Sequence, residues 1–234
     1  MFDGDVHIDL LLRSWIKTVL RYCSFQEGDN CWWYNERASL SVLAAAAWET
    51  RRAVALEEYS TSKRPKAFVE GVEGDQLRHG RCDLHIAFRT DDTIRTFAFE
   101  AKQCRQRTGD KAKPLLHLHK AMDKAWDDVG HLTSREGDIR YAATFALPTI
   151  RLTDLCPEGM DSGICAIKVR ERVARWLYQT RDFRSPRKKE TSFAYVFPSI
   201  GECKYVNKSW LFPGVVLILE KRLKAKPKSS IDEA

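Results

Sequence analysis

Asp83, Glu100 and Lys102 are the residues of this chain whose types and spacing could carry chemistry. They fall in two segments, 81–89 (RCDLHIAFR) and 94–102 (IRTFAFEAK), joined by the short polar link Thr90-Asp91-Asp92-Thr93, which reads as a hairpin turn. Pairing Thr90 with Thr93 sets Ile86 against Phe97, Leu84 against Phe99 and Asp83 against Glu100. One face is then apolar throughout, whereas a slip of one residue would put Asp83 against Phe99 and mix the faces. Carboxylates directly opposed on a sheet have Cβ atoms roughly 4.5–5.5 Å apart and repel. With Lys102 two residues further along the same face, the arrangement reads as a holder for a cation.

The elements that must position these residues follow from punctuation and periodicity. An amphipathic helix over 5–22 is followed by a Gly-, Asn- and aromatic-rich loop carrying Trp32-Trp33-Tyr34. Asn35 is an N-cap for a long helix from Glu36 to about Tyr59, whose Ala44–Ala47 run allows close approach to a sheet. Lys63-Arg64-Pro65-Lys66 breaks the pattern, 67–72 (AFVEGV) reads as a short strand, and a loop over 73–80 leads into the hairpin. Pro114 opens a second helix with an apolar stripe at Leu115, Leu118, Met122, Trp126 and Val129, and 139–147 (IRYAATFAL) is a strand closed by Pro148. Beyond lie a loop, a helix over 164–180, a basic turn (Arg184, Arg187, Lys188, Lys189), a strand over 192–197, a buried strand over 215–219 and a basic tail over 221–234.

Composition bounds the class. A chain of 234 residues with 44% hydrophobic residues and seven Trp can bury a substantial core, and neither an internal repeat nor a low-complexity linker divides it. The reading is one domain over 1–234, with a core at about 36–147, an N-terminal helix, a C-terminal extension over 150–220 and the tail. Asp9, Arg13 and Lys17 interrupt the apolar run at Leu10–Leu12, which excludes a membrane span or a secretory h-region there. Seven cysteines without a CxxC pair argue for reduced thiols in the cytoplasm and against a zinc ribbon. The net charge of +7 permits a polyanionic partner.

The order helix–strand–strand–strand–helix–strand resembles the PD-(D/E)XK nuclease superfamily, the restriction-endonuclease-like enzymes that include Holliday-junction resolvases. Asp83 stands at the start of the second strand and Glu100-Ala101-Lys102 late in the third. The resemblance covers about 36–147. It implies an α/β fold with a restriction-endonuclease-like αβββαβ core, a mixed central sheet flanked by helices, extended by the N-terminal helix and a C-terminal helix and strand. The local sequence Arg81-Cys82-Asp83 lacks the proline that often precedes the family's aspartate. Carried over by position, Asp83 and Glu100 become ligands of Mg²⁺ (with Mn²⁺ able to substitute), the Ala101 carbonyl completes the coordination, and Lys102 assists the attacking water. Hard oxygen ligands suit Mg²⁺, which can activate water and neutralise charge on a phosphate.

Many members of that superfamily add an acid from the first helix, and Glu36 and Glu49 compete for the role. A helix antiparallel to the following strand puts its N-terminus, and so Glu36, beside Asp83; Glu49 is thirteen residues on, about 20 Å away at 1.5 Å per residue. Glu36 is therefore the fourth catalytic candidate, although an acid there also suits the helix dipole.

The basic segment after the motif, with Gln103, Arg105, Arg107, Lys111 and Lys113, reads equally as a nucleic-acid contact or as an ordinary surface loop. His79 and His85 flank Asp83 and read better as structural residues than as ligands. Trp32-Trp33-Tyr34 reads as packing before stacking on bases. Three functions stay open at this point: a metal-dependent deoxyribonuclease that cuts within DNA, a non-catalytic nucleic-acid-binding module of the same fold in a larger defence, repair or mobile-element complex, and an interaction domain without nucleic acid. Cutting both strands would call for two copies of the chain.

Overall fold

A computed structural model of the chain describes residues 5–63, 78–109, 112–113, 115–133, 135–156, 163–180, 183–187, 189–198, 200 and 202–222. Helix α1 (Val6–Phe25) starts at Asp5, whose side chain accepts the His7 amide, and it buries Ile8, Leu11, Leu12, Trp15 and Val19 on one stripe. Helix α2 (Glu36–Trp48) starts at Asn35, whose side chain accepts the Ala38 amide. Then come strands β1 (Ala53–Lys63), β2 (Arg78–Arg89) and β3 (Ile94–Arg107), helix α3 (Leu116–Gly130) and strand β4 (Ile139–Arg151). A 3₁₀ turn (Leu152–Asp154), helix α4 (Ala166–Thr180), and strands β5 (Thr191–Val196), β6 (Val206–Asn207), β7 (Trp210–Leu211) and β8 (Val215–Arg222) complete the chain.

The fold is mixed α/β with a mixed sheet. β1, β2 and β3 are antiparallel neighbours, β3 and β4 run parallel, and β8 lies antiparallel between β4 and β5. The β6–β7 hairpin attaches to the last two residues of β4. On one face Leu84, Phe97, Phe99, Tyr141, Phe145 and Leu217 form a core with α1 and α2. On the other, Ala98 and Ala142 pack with Ala125 and Val129 of α3, while Val216 and Ile218 pack with Met122 of α3 and Trp176 of α4.

Several boundaries differ from the sequence reading. α2 ends at Trp48 rather than near Tyr59, because residues from Ala53 onward pair with β2 as the first strand. The expected strand over 67–72 lies outside the described residues. β3 runs on to Arg107, so Arg105 and Arg107 are strand residues and not part of a loop. Pro148 does not close β4: the β8 ladder ends at Ala146 and the β7 pairing begins at Ile150, so a residue without an N–H is tolerated between them. β8 starts at Val215 as expected but continues to Arg222, taking Lys221 and Arg222 out of the tail. It also pairs with β4 over seven positions, from Arg140↔Arg222 to Ala146↔Val216, so the core expected over 36–147 is completed by the C-terminal strand. The β6–β7 hairpin had no counterpart in the sequence reading.

Among the described residues no helix is long and apolar enough to cross a membrane. All seven cysteines are free thiols.

Candidate active site

The β2–β3 hairpin has the register that burial demanded, from Arg89↔Ile94 to Leu84↔Phe99, with the Thr90 amide donating to the Thr93 carbonyl at 2.8 Å. The ladder stops there. β2 stays paired with β1 as far as Lys63↔Arg78, and β3 stays paired with β4 as far as Arg107↔Thr149. The two strands therefore fork at Asp83, one step short of a regular Asp83–Glu100 pair.

A backbone irregularity sits at the fork. Glu57 pairs with Leu84 and Tyr59 with Cys82, while Glu58 between them has φ of 49°, a left-handed value uncommon outside glycine. Side-chain alternation breaks at the same level. Leu84 joins the core under α1 and α2, yet Cys82, two residues away, joins the cluster under α3. A regular strand would put both on one face. The kink leaves Asp83 aimed at the edge of β3, where its Oδ2 accepts the Ala101 amide at 2.8 Å.

Glu36 takes the next vacant amide on that edge. Its Oε2 accepts the Gln103 amide at 2.9 Å, and the Gln103 side chain in turn accepts from Ser39 Oγ at 2.7 Å. Two carboxylates thus substitute for the departed strand, satisfying β3 amides two residues apart that would otherwise lack partners. Glu49 is at the other end of α2, exposed and paired with Arg21 at 2.8 Å.

Lys102 projects into the same space from β3. Its ammonium lies 3.0 Å from Asp128 Oδ2 of α3 and 3.7 Å from Glu36 Oε1, and donates to the Ala101 carbonyl at 2.6 Å. Burial pulls the Lys102 pKa down, but the Asp128 hydrogen bond and the charges of Glu36, Asp128 and Asp83 outweigh it and leave it above the ordinary lysine value. Burial raises the Glu36 carboxyl above the usual glutamate value, against the opposing pull of Lys102 and the Gln103 amide, with Asp83 adding to the rise. Lys102 is therefore a fixed cation among three acids.

Glu100 is 2% exposed and belongs to the α3 side of the sheet, where its negative charge helps to raise the Cys82 thiol to about 12 after burial, the larger cause. The same charge reaches Tyr59. His85 stacks edge-on against Tyr59 at 5.8 Å between ring centroids, and burial lowers its pKa against the opposing charge of Asp138. Arg105 and Arg107 lie further along β3, exposed; Lys113 is exposed, and Lys111 lies outside the described residues.

The donors here are carboxylates and a backbone carbonyl, the hard oxygen set that Mg²⁺ takes. Among the described residues no three His, Cys, Asp or Glu side chains are grouped as a ready cage. Asp128 was missed by sequence reasoning: it is one acid among several on an amphipathic helix, and only the packing of α3 over β3 selects it.

No protein-family profile, curated protein or solved structure matches the chain.

Proposed function

We propose that this chain is a metal-dependent phosphodiesterase acting on DNA, an endonuclease of the restriction-endonuclease-like type. The observation that carries this reading is the fork, where Asp83 and Glu36 cap the vacated edge of β3 and Lys102 stands between the two flanking helical layers. The αβββαβ order over α2 to β4 agrees with it.

In this reading Asp83, Glu100 and the Ala101 carbonyl would hold a divalent ion, Mg²⁺ or Mn²⁺, and the chemistry such an ion would supply is water activation and charge neutralisation at the phosphate. The chain's own residues do the rest. Lys102, kept protonated by its acidic neighbours, cannot act as a base; it orients the nucleophile and stabilises charge on the transferring phosphate. Glu36, with a raised carboxyl pKa and a hydrogen bond to β3, is placed to hold a proton or a water beside it. Cleavage of both strands would use two copies of the chain. The seven free thiols suit a reducing compartment such as the cytoplasm.

Plasmid incubated with Mg²⁺ or Mn²⁺ tests the reading. The wild type should nick or cut it, and Asp83→Ala and Lys102→Ala should lose a hundredfold or more of that rate, on the order expected when a transition-state contact is removed. Wild-type-like cutting by both variants would show that the activity resides elsewhere.

A second reading has its own support: Lys102 is saturated by Asp128, Glu36 and the Ala101 carbonyl, as in a purely structural charge cluster. It describes a DNA-binding module, one subunit of a larger complex, with salt-sensitive binding and no cleavage under any divalent ion.

A further inference from the structure

Past the N-terminus of α2 the sheet face beneath it carries exposed arginines. Gln103 faces α2 through Ser39, and alternation puts Arg105 and Arg107 on the same face, about 7 and 13 Å further along β3 at the usual strand rise. Arg151 of β4 and Trp210 of β7, direct cross-strand partners, stand beside them. The Arg105 guanidinium lies 5.2 Å from the centroid of Phe212 and donates to the Trp33 carbonyl at 3.1 Å. Those of Arg107 and Arg151 lie 5.1 and 5.5 Å from the centroid of Trp210. All three arginines are exposed, and among the described residues none of them forms an ion pair.

Among the described residues, Arg13, Arg21, Arg37, Arg52 and Arg81 are each paired with an acid, while Arg51, Arg89, Arg135, Arg170 and Arg184 are exposed with neither an acid nor a ring against them. The three on this face rest on aromatic rings instead, which holds their planes without cancelling their charge. A guanidinium held that way has already lost much of its rotamer freedom, and its N–H edge remains available for bidentate contact with a phosphate. Lys208, exposed in the β6–β7 turn just before Trp210, adds a fourth charge. The row begins next to Gln103, whose amide holds Glu36, so a strand lying on it would end at the acidic fork.

We propose that this arginine–aromatic shelf is a docking surface for the phosphodiester backbone of DNA, with Trp210 as the positioning residue that holds Arg107 and Arg151. The choice of DNA as the polyanion rests on the function proposed above, but docking needs neither metal nor hydrolysis. The β6–β7 hairpin then has a purpose that the catalytic reading leaves unassigned: it brings the ring to the arginines.

Anisotropy of a fluorescein-labelled DNA oligonucleotide, titrated with the full chain in EDTA over a series of salt concentrations, tests this. The Arg107→Gln/Arg151→Gln double variant should bind at least tenfold more weakly at low salt, with the slope of log K against log salt reduced by about two, roughly one per lost phosphate contact. Trp210→Ala should weaken binding with both arginines present, and Trp210→Phe, which keeps a ring, should restore it. Arg13→Gln, on α1, should bind as the wild type does. Equal affinity and slope for the wild type and the double variant, or no retention of DNA by the wild type at low salt, overturns the proposal; tighter binding of RNA of the same sequence overturns the choice of DNA. EDTA separates the two readings: DNA binding that depends on the shelf, without plasmid cleavage in Mg²⁺ or Mn²⁺, leaves the shelf standing and removes the hydrolase. Cleavage with an indifferent double variant does the reverse.

Discussion

The Asp83 carboxylate accepts the Ala101 amide at 2.8 Å across the point where β2 leaves β3. A side chain here does what a neighbouring strand does elsewhere in the sheet. Ala101 is fully buried, so its amide has no access to water if that acceptor is removed. Asp83→Ala should therefore destabilise the fold by about 1–3 kcal/mol, the cost of a buried unsatisfied donor, and Asp83→Asn, which keeps an acceptor oxygen, should cost less. Urea unfolding of the three proteins checks the order; equal midpoints for Asp83→Ala and the wild type would mean that the amide finds another partner.

Glu36 and Lys102 make the site sensitive to pH in a definite direction. Burial raises the Glu36 carboxyl above its unfolded value of about 4.3, so just above that pH the folded chain holds a proton that the unfolded chain has lost. Its contribution is fully present below the unfolded pKa and is lost as pH rises through the raised folded value. Carboxyl ¹³C shifts should show Glu36 titrating above the ordinary range. Lys102→Met, which removes the charge opposing that rise, should move the titration higher still. A Glu36 midpoint at or below the model-peptide value in the wild type would contradict the burial argument.

Gln106 caps α3 from a distance. Its Oε1 accepts the His117 and Leu118 amides at 3.0 and 3.1 Å, and its Nε2 donates to the Arg107 and Lys113 carbonyls. Leu115, the residue before the helix, makes no side-chain cap, so the strand residue stands in for one. Gln106→Ala should cost about 2 kcal/mol, at the upper end for a lost cap because the residue is fully buried. Hydrogen exchange should show the first turn of α3 losing protection before the rest of the helix. Unchanged protection there would remove the capping role.

Gly214 and Gly130 should respond oppositely to alanine. A Cβ at Gly214 would collide with the Val196 carbonyl oxygen, a backbone atom of β5 that cannot turn aside. Gly214→Ala should therefore lower stability by about 1–3 kcal/mol, as overpacking does. At Gly130 the obstruction is the tip of Arg222, with Nη1 2.6 Å from the ideal Cβ, and a flexible side-chain end can move. Gly130→Ala should be nearly neutral in thermal unfolding. A large loss at Gly130 with none at Gly214 would invert the packing argument.

Where local chemistry was enough, the sequence was legible. Asp5 and Asn35 cap their helices, the α3 stripe buries Leu118, Met122 and Val129, and the hairpin register follows from keeping Leu84, Ile86, Phe97 and Phe99 on one buried face. The end of α2 was not, because Ala53 to Tyr59 carry no local stop signal and become a strand only by pairing with β2.

By itself, the chain's order of residues determined the hairpin register from Arg89↔Ile94 to Leu84↔Phe99, since that register alone buries the apolar face, and so it set Asp83, Glu100 and Lys102 near the end of the ladder. Only the tertiary structure decided what they face. The kink at Glu58 turns Asp83 onto the edge of β3, the packing of α3 brings Asp128 to Lys102, and the β6–β7 hairpin lays Trp210 against Arg107 and Arg151. The reason is range: register and capping are set by neighbours a few residues apart, whereas these contacts join residues brought together only when the layers close on the sheet.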